Sequence, residues 1–302
     1  MNERSTPSSN LSADVKFSIV TPSFRNSDWL KLCIASVADQ QGVQFEHLVQ
    51  DAGSDDGTLD WLPHDSRVKA FVERDAGMYD AVNRGWKRCT GDVLAYLNCD
   101  EQYLPGALQA IEEFFNTHPE VDVALPDVVV VRKDGSYLCH RYSMVPQRQL
   151  LWLRFSVTTS SLFIRRRVIE RYDLWFDTQW RALGDFHWVR AAVDRGVRFA
   201  EVRFFASVFT ETGENLALTL GGRRESALKA EMTPRWVRAA GALLLAWHRW
   251  RYLWRILRYQ RPFAYSLYTL DCPERRVTHQ VERPTARWVR APLKSAAVPA
   301  TP

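Results

Sequence analysis

The stretch LAYLNCDEQYLPGAL, residues 94–108, joins a predicted buried strand to a predicted helix. The strand ends at Leu97, two carboxylates follow at Asp100 and Glu101, and Pro105 stands where the helix is expected to begin. Neighbouring carboxylates at the mouth of a sheet repel each other unless a positive charge lies beside them. The stretch therefore raises the question of which positive group lies at this edge of the sheet.

Strands and helices alternate around this stretch through about residue 118. Apolar runs bounded by turn residues predict strands, and apolar residues at helical spacing predict helices. The predicted strands are 17–21, 45–51, 68–73 and 92–97. The predicted helices are 27–40, 78–89 and 105–118. This alternation implies βαβ units, so the predicted fold class is α/β with a Rossmann-like, mostly parallel sheet.

Polar and acidic residues follow the ends of these strands. The strand ends lead into TPSFRN (21–26), DAGSDDGT (51–58), ERDAG (73–77) and NCDE (98–101). In such sheets, ligands bind outside the carboxyl ends of the strands. Neither Gly-x-Gly-x-x-Gly nor Gly-x-x-x-x-Gly-Lys follows the first strand, so a dinucleotide or ATPase site is only weakly supported.

The composition is that of a packed globular protein with a basic surplus. Of the 302 residues, 46% are hydrophobic and 25% charged, and the net charge is +5. Five Cys without a Cys-x-x-Cys pair argue against zinc and a disulfide framework, and favour reduced thiols in the cytoplasm. Residues 1–15 are polar and predict a flexible tail rather than a signal peptide. The longest apolar run, 239–247, is too short to cross a bilayer.

Five stretches, in this order, resemble the motifs of the family 2 glycosyltransferases, which are inverting enzymes with the GT-A fold. The stretches are FSIVTPSF (17–24), QDAGSDDGT (50–58), ERDAGMYDAVNRG (73–85), LAYLNCDEQYLPGAL (94–108) and GDFHWVRA (184–191). The resemblance covers residues 17–212 and implies a nucleotide-sugar-binding catalytic domain at 16–222. The remainder, 223–302, is expected to form a helical, basic, Trp-rich extension.

The resemblance implies that Asp100 and Glu101 meet a divalent cation, Mg²⁺ or Mn²⁺, on the diphosphate of the donor. Mg²⁺ takes oxygen ligands and uses one or two carboxylates beside phosphates and water. The family pattern is usually Asp-x-Asp or Asp-Asp, and Asn98 stands here at the first Asp. The resemblance also places Asn98 and Asp100 against the donor. The structural alternative is that both carboxylates solvate a turn and cap the next helix.

Further donor contacts are implied after the first three strands. The resemblance matches Asp51 with the carboxylate that bonds the base, usually uracil, and places Thr21 and Pro22 around the same base. Other implied donor residues are Asp75, Asp80 and Asn83. These three lie at a helix N-terminus, which favours phosphate or sugar hydroxyls. Capping and turn formation are the structural alternatives, also for Asp55 and Asp56 in the Asp-Gly turn.

Asp185, at the start of the predicted helix 184–196, resembles the catalytic base of the family. An inverting transfer needs a carboxylate opposite the leaving group to take the proton of the acceptor hydroxyl. A helix cap is the structural alternative, and both roles can coexist. His187 stands where the family often has a second Asp, and we assign it no catalytic role. The segment 209–220 resembles a mobile loop over the site, with Gly213 as its hinge.

The segment 234–260 is basic and rich in Trp. No acidic residue occurs from Pro234 to Leu270, and seven Arg fall between 235 and 261. A stripe at 4-3-4-3-4-3 spacing lies on one face of a predicted helix. Its residues are Trp236, Ala240, Leu243, Trp247, Trp250, Trp254 and Leu257. The stripe indicates a helix lying on a membrane surface, or else one packed on the domain or in a homodimer. No motif supports nucleic-acid binding.

The predicted function is transfer of one sugar from a nucleotide sugar, a UDP sugar or another, to a hydroxyl of a glycan acceptor. The expected setting is assembly of cell-surface polysaccharide on a lipid-linked acceptor at the cytoplasmic face of a membrane. One alternative is a nucleotide-sugar-binding protein without turnover, which Asn98 and His187 favour. Another is a nucleotidyltransferase, which would want a Gly-rich, Lys- or Arg-bearing loop that TPSFRNS (21–27) lacks.

Overall fold

The structure is a computed structural model that describes residues 15–213 and 219–288. The strands are β1 (Lys16–Ser23), β2 (Gln44–Asp51), β3 (Lys69–Val72), β4 (Val93–Tyr96), β5 (Glu101–Tyr103), β6 (Val123–Arg132), β7 (Tyr137–Arg141), β8 (Phe163–Arg165), β9 (Phe199–Glu211), β10 (Phe263–Thr269) and β11 (Cys272–Val281). The helices are α1 (Ser27–Ala38), α2 (Thr58–Trp61), α3 (Met78–Arg88), α4 (Ala107–Thr117), α5 (Arg148–Leu153), α6 (Arg166–Tyr172), α7 (Gly184–Asp194), α8 (Leu220–Met232), α9 (Arg235–Ala239) and α10 (Gly241–Tyr259). The predicted tail, apart from Val15, lies outside the described residues.

The main sheet has the order β3-β2-β1-β4-β8-β6-β9-β5, with β7 paired to β6. The first four strands of that order are parallel, as are β6 and β9. The other pairs, β4–β8, β6–β8, β6–β7 and β5–β9, are antiparallel. The prediction of an α/β fold with a parallel, Rossmann-like half is confirmed. Strand β5 follows the acidic stretch directly and returns to the sheet at its far edge.

Helices cover both faces of the sheet. On one face, α1 and α4 bury apolar residues such as Cys33 and Ile111 against β1 and β4. On the other face, α3 and α7 bury Trp86 and Trp188. Helix α3 lies very close to β1, because a Cβ built at Gly85 would come within 2.4 Å of a Val20 methyl group. Glycine has a low helix propensity, but position 85 needs it because the close approach of α3 to β1 leaves no room for a side chain.

The C-terminal extension is helical only in its first part. Helices α8, α9 and α10 run to Tyr259, as predicted, but β10 and β11 then form an antiparallel hairpin where a helical extension was expected. Apolar residues alternate along β10, so that Tyr265 and Leu267 pack against Val129 and Val208 of the main sheet. Within the described residues, no helix has both the length and the apolar run that a membrane span requires.

Arg276 of β11 fixes the hairpin to the domain. Its guanidinium donates to both carboxylate oxygens of Asp39, at 2.5 and 2.7 Å, and to the carbonyl of Tyr103 at 3.0 Å. Arg276 is largely buried, so these charge-assisted bonds replace its water. The boundary between a catalytic domain at 16–222 and an extension stays a prediction, and the hairpin packs as part of the same core.

Candidate active site

The carboxyl ends of four parallel strands meet at one edge of the sheet. Ser23 of β1 lies beside Asp51 of β2, and Asp51 lies beside Val72 of β3. Val20 pairs with Tyr96, so the acidic stretch after β4 begins next to the end of β1. The structure therefore brings together the strand ends whose polar residues the sequence singled out, as expected for a switch point in an open α/β sheet.

Glu101 is not available as a metal ligand, contrary to the prediction. Its side chain is fully buried on β5. One oxygen accepts the Thr159 hydroxyl at 2.6 Å, and the other accepts the Asn98 N–H at 2.9 Å. Burial, together with the nearby charge of Asp100, raises the pKa of Glu101 to about 8. Burial thus disfavours the charged form of Glu101, and its hydrogen bonds hold the turn that carries Asp100.

Asp100 is half-buried at the lip of the sheet and is the carboxylate of this turn that can face a cation. Asn98, two residues earlier, has a buried Oδ1 without a hydrogen-bond partner. A carboxylate and an amide oxygen are both hard ligands, so the pair fits a divalent ion whose other ligands come from a diphosphate and water. Within the described residues, no three His, Cys, Asp or Glu side chains cluster for a metal. A cation bound by Asp100 and Asn98 would therefore need further ligands from the diphosphate and water.

Asp51 anchors its own loop. Its carboxylate accepts the N–H groups of Gly53 at 2.9 Å and Ser54 at 2.7 Å, and the Ser54 hydroxyl at 2.7 Å. The residue is fully buried beneath that loop. A carboxylate has about four acceptor sites, so one remains for a ring N–H of a base. Contact with a base stays a prediction and requires the 53–54 loop to open.

Thr21 and Pro22 present little to a ligand. The Thr21 hydroxyl is buried on the α1 side of β1, where it bonds Nε2 of His47 at 2.8 Å. The carbonyl of Pro22 accepts the Cys99 thiol at 3.1 Å. The Thr21 side chain is therefore not available to frame a base, which corrects that expectation. Pro22 is buried beside the acidic turn.

Asp55 and Asp56 stabilise their loop and the start of α1, in line with the structural alternative of turn formation and capping. Asp55 forms a bidentate ion pair with Arg25. Asp56 accepts the Ser27 N–H at 3.0 Å and so caps α1 from outside the helix. This explains why α1 begins at Ser27 although Asn26 makes no capping bond with its own side chain.

Asp75 and Asp80 lie together where α3 begins. Asp75 accepts the Gly77 N–H at 2.8 Å, and Asp80 accepts the Ala76 N–H at 3.0 Å while pairing with Arg84 at 2.9 Å. Burial raises the pKa of Asp75, and the charges of Asp80 and Asp51 add to the rise. Three of the predicted donor residues thus lie within electrostatic reach of one another.

Asn83 is the exception among these donor residues. Its amide donates to the carbonyl of Phe176 at 2.8 Å and accepts the Phe176 N–H at 3.0 Å. Both halves of the amide are therefore used to hold the chain segment before α7 onto α3. The structure gives Asn83 this structural role, and the prediction of donor contact is corrected accordingly.

Asp185 lies in the first turn of α7 against the ring of Tyr79. The N-terminus of α7 packs directly on that ring: a Cβ built at Gly184 would come within 2.5 Å of a ring carbon. The Asp185 carboxylate accepts the Phe186 N–H at 2.7 Å and lies close enough to Tyr79 for the two side chains to influence each other's pKa. Burial raises the pKa of Asp185 to about 6, although that bond, Tyr79 and the charge of Lys229 oppose the rise. Such a carboxylate is ionised at neutral pH and still accepts a proton readily.

Helix α8 contributes two residues to this site that the sequence did not reveal. Glu225 accepts three consecutive backbone N–H groups before α7, those of Arg181, Ala182 and Leu183, at 2.8–2.9 Å. One turn later, the ammonium of Lys229 lies 4.3 Å from the ring centre of Phe186 and within electrostatic reach of Asp185. Each is more than 100 residues from Tyr79, so spacing along the chain could not show that they meet.

His187 packs within the same helix without a catalytic position. Its ring stacks on Trp180, with 3.8 Å between ring centres. Burial lowers the pKa of His187 to about 4, so the ring is neutral. The decision to assign it no catalytic role is consistent with this packing. Of the predicted closing loop, residues 214–218 lie outside the described residues.

Residues 18–188, more than half of the chain, match the family described as Glycosyl transferase family 2. The chain belongs to that family. A PGL/p-HBAD biosynthesis glycosyltransferase of Mycobacterium bovis is 33% identical over 120 residues, which cover 38% of this chain and 47% of the relative. Glycosyltransferase AglE of Haloferax volcanii is 26% identical over 193 residues, covering 59% of this chain and 62% of AglE. This family 2 chain thus aligns with only about half of the mycobacterial protein.

Solved structures support the fold of the family 2 chain. The crystal structure of S. aureus TarS 1-349 in complex with UDP-GlcNAc superposes with a TM-score of 0.54. The two are 18% identical, and the superposition covers 68% of this chain and 61% of that one. The mostly parallel sheet described above is accordingly of the GT-A type, as predicted.

Proposed function

We propose that this family 2 chain is an inverting glycosyltransferase that moves a sugar from a UDP sugar to a hydroxyl of a glycan acceptor. The observation that carries the proposal is Asp185, a half-buried carboxylate in the first turn of α7, against Tyr79, with a pKa raised to about 6. Family membership supports sugar transfer as the reaction. The UDP-GlcNAc complex of TarS supports a UDP sugar as the donor.

The reaction needs one proton acceptor and one stabilised leaving group. Asp185 takes the proton of the acceptor hydroxyl while the hydroxyl oxygen forms its bond to the anomeric carbon. The bond from that carbon to the diphosphate breaks, and its electron pair leaves on a phosphate oxygen. Attack from the opposite face inverts the anomeric centre. The Phe186 N–H holds the carboxylate in place, and the neighbouring Tyr79 lowers its pKa and so favours its ionised form.

Asp100 and Asn98 are the residues proposed to hold a divalent cation. A bound Mg²⁺ or Mn²⁺ neutralises the charge that develops on a departing diphosphate. Without such an ion, the acidic edge formed by Asp51, Asp75 and Asp100 would repel the donor. Asp100 therefore supplies the protein carboxylate, and Asn98 supplies an uncharged oxygen in place of a second one.

The acceptor is proposed to be a lipid-linked glycan used in cell-surface polysaccharide synthesis at the cytoplasmic face of a membrane. Support comes from the names of the mycobacterial relatives, which assign them to PGL/p-HBAD biosynthesis. A homodimer is not part of this proposal.

Replacing Asp185 with Asn tests the proposal directly. We expect sugar transfer from a UDP sugar to a glycan acceptor to fall on the order of 10³-fold, because the amide cannot take the proton. Stabilisation by UDP with Mn²⁺ in a thermal-shift assay should be retained. Asp194→Asn at the other end of α7 is the matched control and should transfer normally. A non-catalytic binder would show no transfer in either protein, and a nucleotidyltransferase would release diphosphate from a nucleoside triphosphate.

A further inference from the structure

The outer face of α10, formed by Leu243, Trp247, Trp250, Trp254 and Leu257, is apolar and open to solvent. These residues repeat at 4-3-4-3 spacing, and their side chains are between 42% and 78% exposed. At 3.6 residues per turn they fall within roughly 80° of arc. Leu253, 51% exposed, lies on the flank of the same face. Five large apolar side chains in one row form a patch of the kind that marks an interaction surface.

The opposite side of α10 faces the protein. Arg255 is buried there and pairs with Asp127 at 2.7 Å and with Glu201 at 2.6 Å. Gly241 approaches Leu153 of α5, and the ring of Tyr252 packs 6.3 Å from that of Tyr142. The helix is thus held with its charged anchor inward and its Trp row outward. The helix therefore packs on the domain, as one interpretation of the stripe predicted, and it does so mainly through the side opposite the row.

Arginine side chains flank the outer face on one side. Arg251 and Arg258 lie on this flank by helical spacing, and Arg249 is exposed farther round the helix. The Arg251 guanidinium lies 4.9 Å from the ring centre of Trp247. Because residues 234–270 contain no acidic side chain, the charged side chains that α10 itself exposes are all positive, and the acidic Asp127 and Glu201 meet the helix at its buried Arg255. Tryptophan with flanking arginine suits the boundary between headgroups and acyl chains, and the arginines attract anionic lipid.

We propose that the outer face of α10 binds the surface of a membrane that contains anionic lipids, with the helix axis in the membrane plane. A second copy of the chain fits this face less well, because a two-fold contact would bring the same arginine flanks together. The chain's own segment 289–302 carries Arg290 and Lys294 and no acidic residue, so it does not complement the face either. The proposal rests on this surface and not on the sugar-transfer chemistry.

Sedimentation with lipid vesicles tests the proposal on the full chain. We expect binding to vesicles of phosphatidylcholine with phosphatidylglycerol, weaker binding to phosphatidylcholine alone, and weakening by salt. The pair Trp250→Gln and Trp254→Gln should reduce binding at least about tenfold, whereas Trp250→Phe and Trp254→Phe should keep it within about threefold. Arg251→Gln should cost about fivefold, and only on the anionic vesicles.

The same variants separate this proposal from its rivals. Circular dichroism and the urea midpoint should show that the Gln pair is folded, since both positions are exposed. Full vesicle binding by the Gln pair, or binding that ignores phosphatidylglycerol, would overturn the proposal. Light scattering of the wild type that shows a dimer, and of the Gln pair that shows a monomer, would assign the face to a second copy instead.

Discussion

Glu101 illustrates how one position along a strand changes what a carboxylate can do. It lies in β5, where Glu101, Gln102 and Tyr103 are all buried between β9 and the α1 side of the core. Two hydrogen bonds satisfy the carboxyl group, but burial without a cation disfavours its charged form. Its pKa of about 8 means that the folded protein holds this proton more tightly than the unfolded chain does.

We predict that Glu101→Gln is as stable as wild type near pH 5 and more stable above pH 8. Because the folded pKa is raised, wild type loses stability as pH climbs from the unfolded value of about 4.5 through about 8, on the order of 5 kcal/mol in all. Glutamine stays neutral across this range. Urea unfolding at both pH values measures the difference, with the exposed Glu113→Gln as control. If Glu101→Gln abolished the effect of Mn²⁺ on UDP binding, its assignment as an internal acid would be wrong.

At the scale of elements, the contact between α8 and α7 sets the environment of the proposed base. The Glu225 carboxylate accepts hydrogen bonds from the three backbone N–H groups that precede α7, and Lys229 places a positive charge near Asp185. Most other side chains of α8 are exposed. The helix is therefore attached to the site largely through these two residues, which makes its influence on Asp185 open to measurement.

We predict that Lys229→Met moves the acid limb of the pH profile of kcat/KM upward from about pH 6. Removing the positive charge favours the protonated carboxyl, so less base is present at pH 6.5. Activity should fall a few-fold at that pH and stay near wild type at pH 8.5. Lys229→Arg should restore the profile, and Arg224→Met on the exposed side of α8 should not move it. A uniform loss at every pH would indicate a structural role for Lys229 instead.

The longer elements through residue 118 could be predicted because each carries its own period and its own turn residues, whereas the short helix α2 and strand β5 were missed. The strand and helix bounds differ from the structure by one or two residues. The hairpin of β10 and β11 was not predicted. Phe263, Tyr265 and Leu267 alternate as in a strand, but the basic helix before them suggested that the whole extension was helical. Asp185 came from a motif. Tyr79 and Lys229, which act on it, come from distant elements that only the tertiary fold brings together.

At the scale of the whole molecule, Arg255 joins the C-terminal helices to the catalytic sheet. Its side chain is 6% exposed and contacts Asp127 of β6, Glu201 of β9 and the carbonyl of Ser143. Burial raises the pKa of Asp127 to about 7, and the guanidinium opposes that rise. Arg255 therefore fixes both the position of α10 and the side of α10 that faces outward.

We predict that Arg255→Met destabilises the protein by about 3 kcal/mol, because it leaves the buried Asp127 and the partly buried Glu201 without their cation. Adding Asp127→Asn should recover part of that loss, since one of the stranded charges is then removed. Arg258→Met, one turn along on the exposed side, should stay within about 0.5 kcal/mol of wild type. Urea unfolding gives all three values. A loss below about 1 kcal/mol for Arg255→Met would mean that apolar packing of α10 on α5 alone holds the helix, and that the ion pairs do not set its orientation.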